Sequence, residues 1–447
     1  MKLEFIANAS FVITLESGAT ILTDPWLSDG IYYGSWYNFP PIPDAMRARV
    51  LASRPSLVYV SHLHPDHLDA ATLAQLPRST PIAIGKLPHD HLRRQLAELG
   101  FTHLRELPLG ELRPMSEGAQ LAILAAFGST GDGLVDEVGY AIDTSLVVRD
   151  RDGTQLLHGV DNPIRVGDAT GLVARFGRPD IAILPYGGAN FYPHAGRAFT
   201  DDQKAAAASA VGARRLGHFV QLAAALDATW TVPAAGSYVM GGRISSYSRY
   251  LHQATPGEIA TAWAAAGRDP AALCVMMPGD TIDTTTRTVT RVPDAAFRDF
   301  TAAQRAEYAH TLAGRALPQD EIRIPRAFRV PWPRLLAKAR RNLWQMQTRM
   351  KLTPAVDVEL HVAAVSGLPS TQPLVFAFAL DAEAPSGGAR APDRPVVAFH
   401  LDASLLLMVL VGAANWNNVE IAALVEFERT PERYEPTVHS LMSFFTL

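Results

Sequence analysis

The sequence is poor in cysteine, in net charge and in long apolar runs. It contains one cysteine, Cys274, which excludes an internal disulfide and favours a cytoplasmic location. The formal net charge is −4 and 19% of residues are charged, which argues against disorder and against a nucleic-acid-binding surface. The longest apolar run near the end, residues 405–414, has about half the length of a membrane span. The first residues predict a strand rather than a signal peptide, so we expect no membrane partner.

The sequence does contain a dense group of metal-ligating side chains. Residues 61–69 read Ser-His-Leu-His-Pro-Asp-His-Leu-Asp and follow the apolar run 57–60. His62 and His64 are two apart, so in extended chain they project to the same side and can bind one ion. Asp66 and His67 would then face a neighbouring ion. The pattern predicts a site for two metal ions; the alternative is a solvated polar turn.

This spacing resembles the His-x-His-x-Asp-His loop of the metallo-β-lactamase superfamily. The resemblance implies that Asp24, in the apolar stretch 19–27, orients the histidine loop without binding metal itself. It also implies that Asp161, predicted to end a strand over 156–161, bridges two ions. Within the superfamily the chain is similar to the cytidine-monophosphate-N-acetylneuraminate hydroxylases. The shared segments are residues 57–68, 187–193, 233–238, 278–281 and 416–445.

Two departures from the family pattern bear on chemistry. A Rieske cluster needs two cysteines and two histidines, which a chain with one cysteine cannot supply. The histidines expected in the middle of the domain and near Ala235 are also missing. The middle segment offers Asp132, Asp136 and Glu137 instead, and some dinuclear iron members of the superfamily use a glutamate there. The resemblance therefore makes Glu137 a candidate ligand, and a carboxylate there would favour iron or manganese over zinc; the alternative is a solvated loop residue.

Two further features belong near the predicted site. His194 follows the predicted strand 180–186, and strand ends in this fold point at the metals, so it is a candidate ligand or acid–base group. The alternative is an exposed loop histidine. The aromatic loop 31–39 is expected to overhang the metals as a wall or lid, or else to pack on the protein's own surface.

The resemblance implies an α/β fold, a four-layer αβ/βα sandwich with metals at the edges of two sheets. We assign residues 1–293 to this metal-binding domain, which includes a predicted long helix over 205–228. Residues 294–447 would hold a helical link, over 294–317, and a smaller α+β domain that resembles a sterol-carrier module. Strands are predicted over 356–362 and 394–401, a loop over 384–392 and a helix over 419–441.

Three functions are compatible with these residues. The first is a dinuclear-iron oxygenase, a hydroxylase or N-oxygenase, that acts on a small polar metabolite and takes electrons from a separate donor. The second is a zinc-dependent hydrolase, in which metal-bound hydroxide attacks an ester, amide or phosphodiester and Asp66 receives a proton. The third is a non-catalytic metal-binding scaffold. The missing histidines and the resemblance favour the oxygenase.

Overall fold

The structure is a computed structural model, and it describes residues 1–115, 118–127, 142–322, 330–363, 374–383 and 393–447. The strands are β1 Lys2–Ala7, β2 Ser10–Thr14, β3 Thr20–Thr23, β4 Trp36–Asn38, β5 Leu57–Tyr59, β6 Ile82–Gly85, β7 Leu104–Leu107, β8 Arg113–Pro114, β9 Gln120–Leu124, β10 Ser145–Arg149, β11 Gln155–His158, β12 Ile181–Pro185, β13 Trp230–Ala234, β14 Tyr238–Met240, β15 Thr281–Asp283, β16 Thr288–Thr290, β17 Asp357–Ala363, β18 Leu374–Ala379, β19 Val396–Asp402 and β20 Glu426–Thr430.

The helices lie between these strands and after them. They are α1 Ile31–Gly34, α2 Asp44–Ala52, α3 Ala70–Leu73, α4 His91–Glu98, α5 Val166–Phe176, α6 Asp201–Leu226, α7 Pro256–Ala265, α8 Ala302–Thr311, α9 Pro318–Glu321, α10 Trp332–Met350, α11 Ala403–Leu410, α12 Trp416–Ile421 and α13 Pro436–Met442. None of the helices in the described ranges is both long and apolar enough to cross a bilayer.

Two large sheets form the first part of the chain. One has the order β16-β15-β1-β2-β3-β5-β6-β7, and the other has the order β13-β12-β11-β10-β9-β8. Their facing sides pack through a shared core that includes Phe11, Ile13, Ile123 and Ile183. The central strands read as continuous apolar runs because both of their faces are covered.

Helices cover the outer face of each sheet. Val50 of α2 and Leu92 of α4 pack on the first sheet, whereas Leu172 of α5 and Phe219 of α6 pack on the second. Thr200 begins α6 by accepting a hydrogen bond from the Gln203 amide at 3.3 Å. This order of helix, sheet, sheet and helix is the predicted four-layer αβ/βα sandwich.

A third, smaller sheet with the order β18-β17-β19-β20 follows. Its core is continuous with Trp26, Ile31, Trp36 and Tyr238 of the first part, so the two parts share one apolar cluster. Alternation places Val358, Leu360 and Val362 of β17 inside. The proposed division at residue 293 and the likeness to a sterol-carrier module stay predictions.

Three sequence-based boundaries need correction. The helix predicted over 419–441 is wrong, because α12 ends at Ile421 and the strand β20 follows it. The predicted link over 294–317 is helical only at α8, Ala302–Thr311. The strand predicted over 156–161 ends at His158, because the chain turns at Val160, whose φ is +51°. The predicted loop over 384–392 lies outside the described residues.

Candidate metal centre

The histidine loop leaves the first sheet at the end of β5. Asp24 follows β3, which pairs in parallel with β5, so both strands deliver their next residues to the same edge. The loop folds back through hydrogen bonds from the His67 and Leu68 amides to the His64 carbonyl, at 2.9 and 2.8 Å. Asp69 then begins α3 by accepting from the Ala71 amide at 3.0 Å. These local bonds turn the side chains of His62, His64, Asp66 and His67 toward one region.

The rings of His62 and His64 face each other. Their Nε2 and Nδ1 atoms are 2.9 Å apart. Two nitrogens that bind one ion at about 2.1 Å lie roughly 3.0 to 3.4 Å apart, so this pair is close to the separation required of two ligands. Burial lowers the pKa of His62 well below its usual range, and also lowers that of His64. Both rings are therefore neutral near pH 7, the form that binds metal.

His67 lies among three carboxylates. Its Nδ1 is 3.1 Å from Oδ2 of Asp24, and its Nε2 is 3.3 Å from Oδ2 of Asp66 and 3.4 Å from Oδ2 of Asp161. Burial alone would lower its pKa, but Asp66, Asp161 and Asp24 raise the pKa of His67 well above its usual value. With Nδ1 directed at Asp24, Nε2 is the nitrogen available to a cation shared with Asp161.

Asp66 is oriented by the aromatic loop. The Tyr32 hydroxyl donates a hydrogen bond of 2.7 Å to its Oδ1. Burial alone would raise the pKa of Asp66, yet His67, and after it His64, keep that pKa below its usual value. Trp36 of the same loop stacks on Tyr238 at 3.4 Å between ring centroids. The loop therefore packs in the interior, and Tyr32 brings it into contact with the site.

The backbone of the histidine loop is fixed by buried hydrogen bonds. The Ser61 amide donates to Asp24 Oδ1 at 2.7 Å, and the Ser61 hydroxyl lies 2.9 Å from Nδ1 of His62. Thr144 donates to the Ser61 carbonyl at 2.7 Å and lies 2.8 Å from the Tyr59 hydroxyl. Asp24 thus contacts the loop twice, through the Ser61 amide and through the ring of His67.

Sequence reasoning missed Asp143. Its Oδ1 lies 3.7 Å from Nε2 of His62. Partial burial, and next the charge of Asp161, raise the pKa of Asp143 to about 7. Asp143 precedes β10, which runs antiparallel to β11, so it lies at the edge where β11 ends and Asp161 follows. An acidic residue just before an antiparallel core strand was the signal that could have identified it.

Two sets of side chains are arranged as ligand groups. One consists of His62, His64 and Asp143, and the other of His62, His67 and Asp161; within each set the ligand atoms lie within 4.8 Å of one another. Neutral imidazoles and carboxylates converging on one buried region form a donor set suited to a divalent metal. The residues present therefore fit the metal centre that the fold implies.

The sequence also indicates His194 and the position of Ala235. His194 is fully buried beside Tyr247, with 5.9 Å between ring centroids, and is in neither ligand set of the described residues. Burial lowers its pKa to about 3, so it is a neutral core histidine rather than an exposed one. Ala235 follows β13 with a φ of +49°. Asp132, Asp136 and Glu137 lie outside the described residues.

Comparison with known proteins agrees with this geometry. Residues 2–211 match the family model described as the beta-lactamase superfamily domain. A Mycobacterium tuberculosis protein named as a Rieske 2Fe-2S iron–sulfur protein is 30% identical over 251 residues, which are 53% of this chain and 44% of that one. The mouse cytidine monophosphate-N-acetylneuraminic acid hydroxylase is 26% identical over 226 residues, 48% of this chain and 36% of the mouse protein.

A third relative is named as a metal-dependent hydrolase. It comes from Methanobrevibacter smithii and is 27% identical over 188 residues, 42% of this chain and 70% of its own. The matches to the mycobacterial and mouse proteins span less than half of those proteins. Together with the four layers, these findings confirm the resemblance to the metallo-β-lactamase superfamily.

Proposed function

We propose that this protein, whose residues 2–211 match the β-lactamase superfamily domain, is a dinuclear-iron oxygenase. It would hydroxylate or N-oxygenate a small polar metabolite, with electrons from a separate donor. One observation carries the proposal: each ligand set combines two histidines with one carboxylate. Two histidines and a carboxylate with open positions are the donor set of non-haem Fe(II) oxygenases; catalytic zinc sites can share it, so the metal content of the protein separates the two functions.

The set of His62, His64 and Asp143 and the set of His62, His67 and Asp161 would hold the ions, with Asp66 beside His67 as a further carboxylate. Bound ferrous iron would supply dioxygen binding and oxygen insertion into a carbon–hydrogen or nitrogen–hydrogen bond. The absence of histidine at Ala235 leaves fewer protein ligands than a typical hydrolase of the superfamily has. Fewer ligands leave open positions for small molecules, which an oxygenase needs.

The surrounding residues hold these ligands in place. Asp24 fixes the orientation of His67, and the Tyr32 hydroxyl holds one oxygen of Asp66, whose other oxygen lies 3.3 Å from Nε2 of His67. Thr144 restrains the loop backbone through the Ser61 carbonyl. A preorganised site of this kind needs no rearrangement when substrate arrives.

Polar groups near the ligands support a small polar substrate. The Tyr238 hydroxyl is buried and has no hydrogen-bond partner among the described residues. Burial raises the pKa of Tyr238 well above its usual value, Asp66 and Asp161 raise it further, and Arg215 opposes them. Arg215 donates to the Gly187 carbonyl at 2.5 Å. A guanidinium and an unpaired hydroxyl close to the metal ligands suit a substrate with an anionic or carbonyl oxygen.

The electrons for the reaction would come from a donor other than these residues. Cys274 is its one cysteine and is buried, so these residues cannot bind a Rieske cluster. The relatives include a protein named as a Rieske iron–sulfur protein. A separate protein, a small reductant or the substrate would therefore reduce the site.

A hydrolase is the second candidate. It is favoured by the relative named as a metal-dependent hydrolase, 70% of which is matched. In that function the bound ions supply a hydroxide nucleophile, and Asp66 receives a proton beside the Tyr32 hydroxyl.

Elemental analysis of protein purified without added metal, joined to dioxygen uptake by the reduced protein, tests the proposal. We expect about two irons per chain and oxygen consumption above that of a His62→Ala/His64→Ala variant. Zinc without oxygen consumption would overturn the oxygenase in favour of the hydrolase. Absence of any bound metal would favour a non-catalytic scaffold.

A further inference from the structure

A residue of α12, the helix that precedes β20 in the sequence, contacts the histidine loop. Oδ1 of Asn417, on α12, lies 3.2 Å from Nε2 of His64, across 353 positions of sequence. The other ring nitrogen of His64, Nδ1, faces His62. His64 is thus held between the candidate ligand set on one side and an amide oxygen on the other.

We propose that Asn417 is a positioning residue of the metal centre. As an acceptor, its amide oxygen requires the proton of His64 to be on Nε2, which leaves the lone pair on Nδ1 for the metal. The inference rests on the metal centre of the proposed function but not on iron or dioxygen. Asn417 lies outside residues 2–211, so the family domain alone does not contain it.

Helix α12 is held firmly enough to serve this purpose. Trp416 is buried against Phe399, with 5.1 Å between ring centroids. Glu420 is 2.8 Å from Nδ1 of His439, and both side chains are buried. Because residues on both sides of Asn417 are anchored in the core, its amide is presented to His64 at low conformational cost.

The aromatic loop connects the same helix to Asp66. The Asn415 amide, at the start of α12, donates to the Tyr33 hydroxyl at 2.8 Å, and the neighbouring Tyr32 donates to Asp66. Tyr32 and Tyr33 have φ values of +49° and +58°, which tyrosine rarely adopts. Consecutive strained residues persist only where the surroundings hold them. His64 and Asp66 therefore both receive support through the turn and α12.

Asn417 itself is exposed, and this sets the size of the expected effect. Outer partners of metal ligands typically change metal affinity 10- to 100-fold, and an exposed amide belongs at the lower end, about tenfold. Exposure also means that substitution leaves the core intact. Gln345, an exposed amide on α10, offers a control that lies outside this network.

The test is titration of metal-free full-length protein with cobalt(II), followed by its visible absorption bands. We expect Asn417→Leu to bind cobalt about tenfold more weakly with altered bands. Asn417→Asp keeps an acceptor and should bind at least as tightly as the unmodified protein. Gln345→Leu should stay within about twofold of the unmodified protein, and thermal unfolding would check that each variant folds.

Each other outcome has a defined meaning. Unchanged cobalt affinity in Asn417→Leu would overturn the inference while leaving the metal centre intact. An Asn417→Asp variant as weak as the leucine variant would show that the amide nitrogen, not the oxygen, faces His64, and would also overturn it. Failure of the unmodified protein to bind cobalt would overturn the metal centre and the inference together. Cobalt binding without any oxygenase activity would affect only the proposed function.

Discussion

Asp24 Oδ2 lies 3.1 Å from Nδ1 of His67, and both side chains are completely shielded from solvent. Asp24→Asn removes the charge that orients the ring, so we expect metal affinity to fall about 10- to 100-fold. Competition with a chelator measures this. Asp29→Asn, a change at an exposed carboxylate, is the control and should leave affinity unchanged. Equal affinities for both variants would argue against the orienting role.

His62 belongs to both ligand sets, so its loss should affect both ions. We expect His62→Ala/His64→Ala to abolish metal loading, because one set loses two of its three members. Elemental analysis measures the loss, with exposed His310→Ala as the control. Full loading of the double variant would disprove the site assignment.

Asp143 and Glu137 compete for the role of middle ligand. Because Asp143 lies 3.7 Å from His62, we expect Asp143→Ala to lose about one of two metal ions per chain. Glu137→Ala should retain both if Asp143 is the ligand. The reverse pattern would return the role to Glu137.

The Tyr32 hydroxyl is bonded to a buried carboxylate. Tyr32→Phe keeps the ring against Trp36 but removes this charge-assisted bond, and we expect a loss of about 1.5 to 3 kcal/mol in unfolding free energy. Urea denaturation of the metal-free protein measures it. Tyr33→Phe removes a neutral hydroxyl contact and should cost about 1 kcal/mol or less. A smaller loss in Tyr32→Phe than in Tyr33→Phe would contradict this account.

Burial of His194 makes the free energy of unfolding depend on pH. Its pKa is about 3 in the folded protein and 6.5 ordinarily, so below pH 6.5 the unfolded chain binds a proton that the folded chain refuses. The contribution of neutral His194 to the free energy of unfolding is complete above pH 6.5 and is lost as pH falls toward 3. At pH 5 the loss is about 2 kcal/mol.

His194→Leu should remove that part of the pH dependence. We expect the variant to lose less unfolding free energy than the unmodified protein between pH 7 and pH 5, by about 2 kcal/mol. Denaturation at both pH values measures the difference. Identical pH dependence in the two proteins would show that His194 does not titrate on unfolding.

The histidine loop was predictable because its four side chains are neighbours in sequence and need one turn to converge. The four layers followed from the family resemblance. Asp143 was not predictable in the same way, since its place depends on the antiparallel register of β10 against β11. The position of Asn417 beside His64 depends on how α12 packs against the first part of the chain, and no local sequence pattern encodes that packing.

The false helix over 419–441 has a physical cause. β20, Glu426–Thr430, has only five residues, and its single buried apolar side chain, Phe427, fits either period. Pro431 follows immediately, and a proline inside a predicted helix indicates a break. The partners of β20, which are strand β19 and the apolar cluster, decide between the alternatives.

The pairing of β1 with β15 has a consequence for biosynthesis. Lys2 lies opposite Asp283, so the first sheet cannot close until the ribosome has released that residue. Asn417 emerges 134 residues after Asp283, about 7 to 27 s later at ordinary elongation rates. During that interval the nascent chain presents His62 and His67 before His64 has its distal partner. An ion captured then would be held without the contact from Asn417, so the synthesis of α12 determines when the centre is complete.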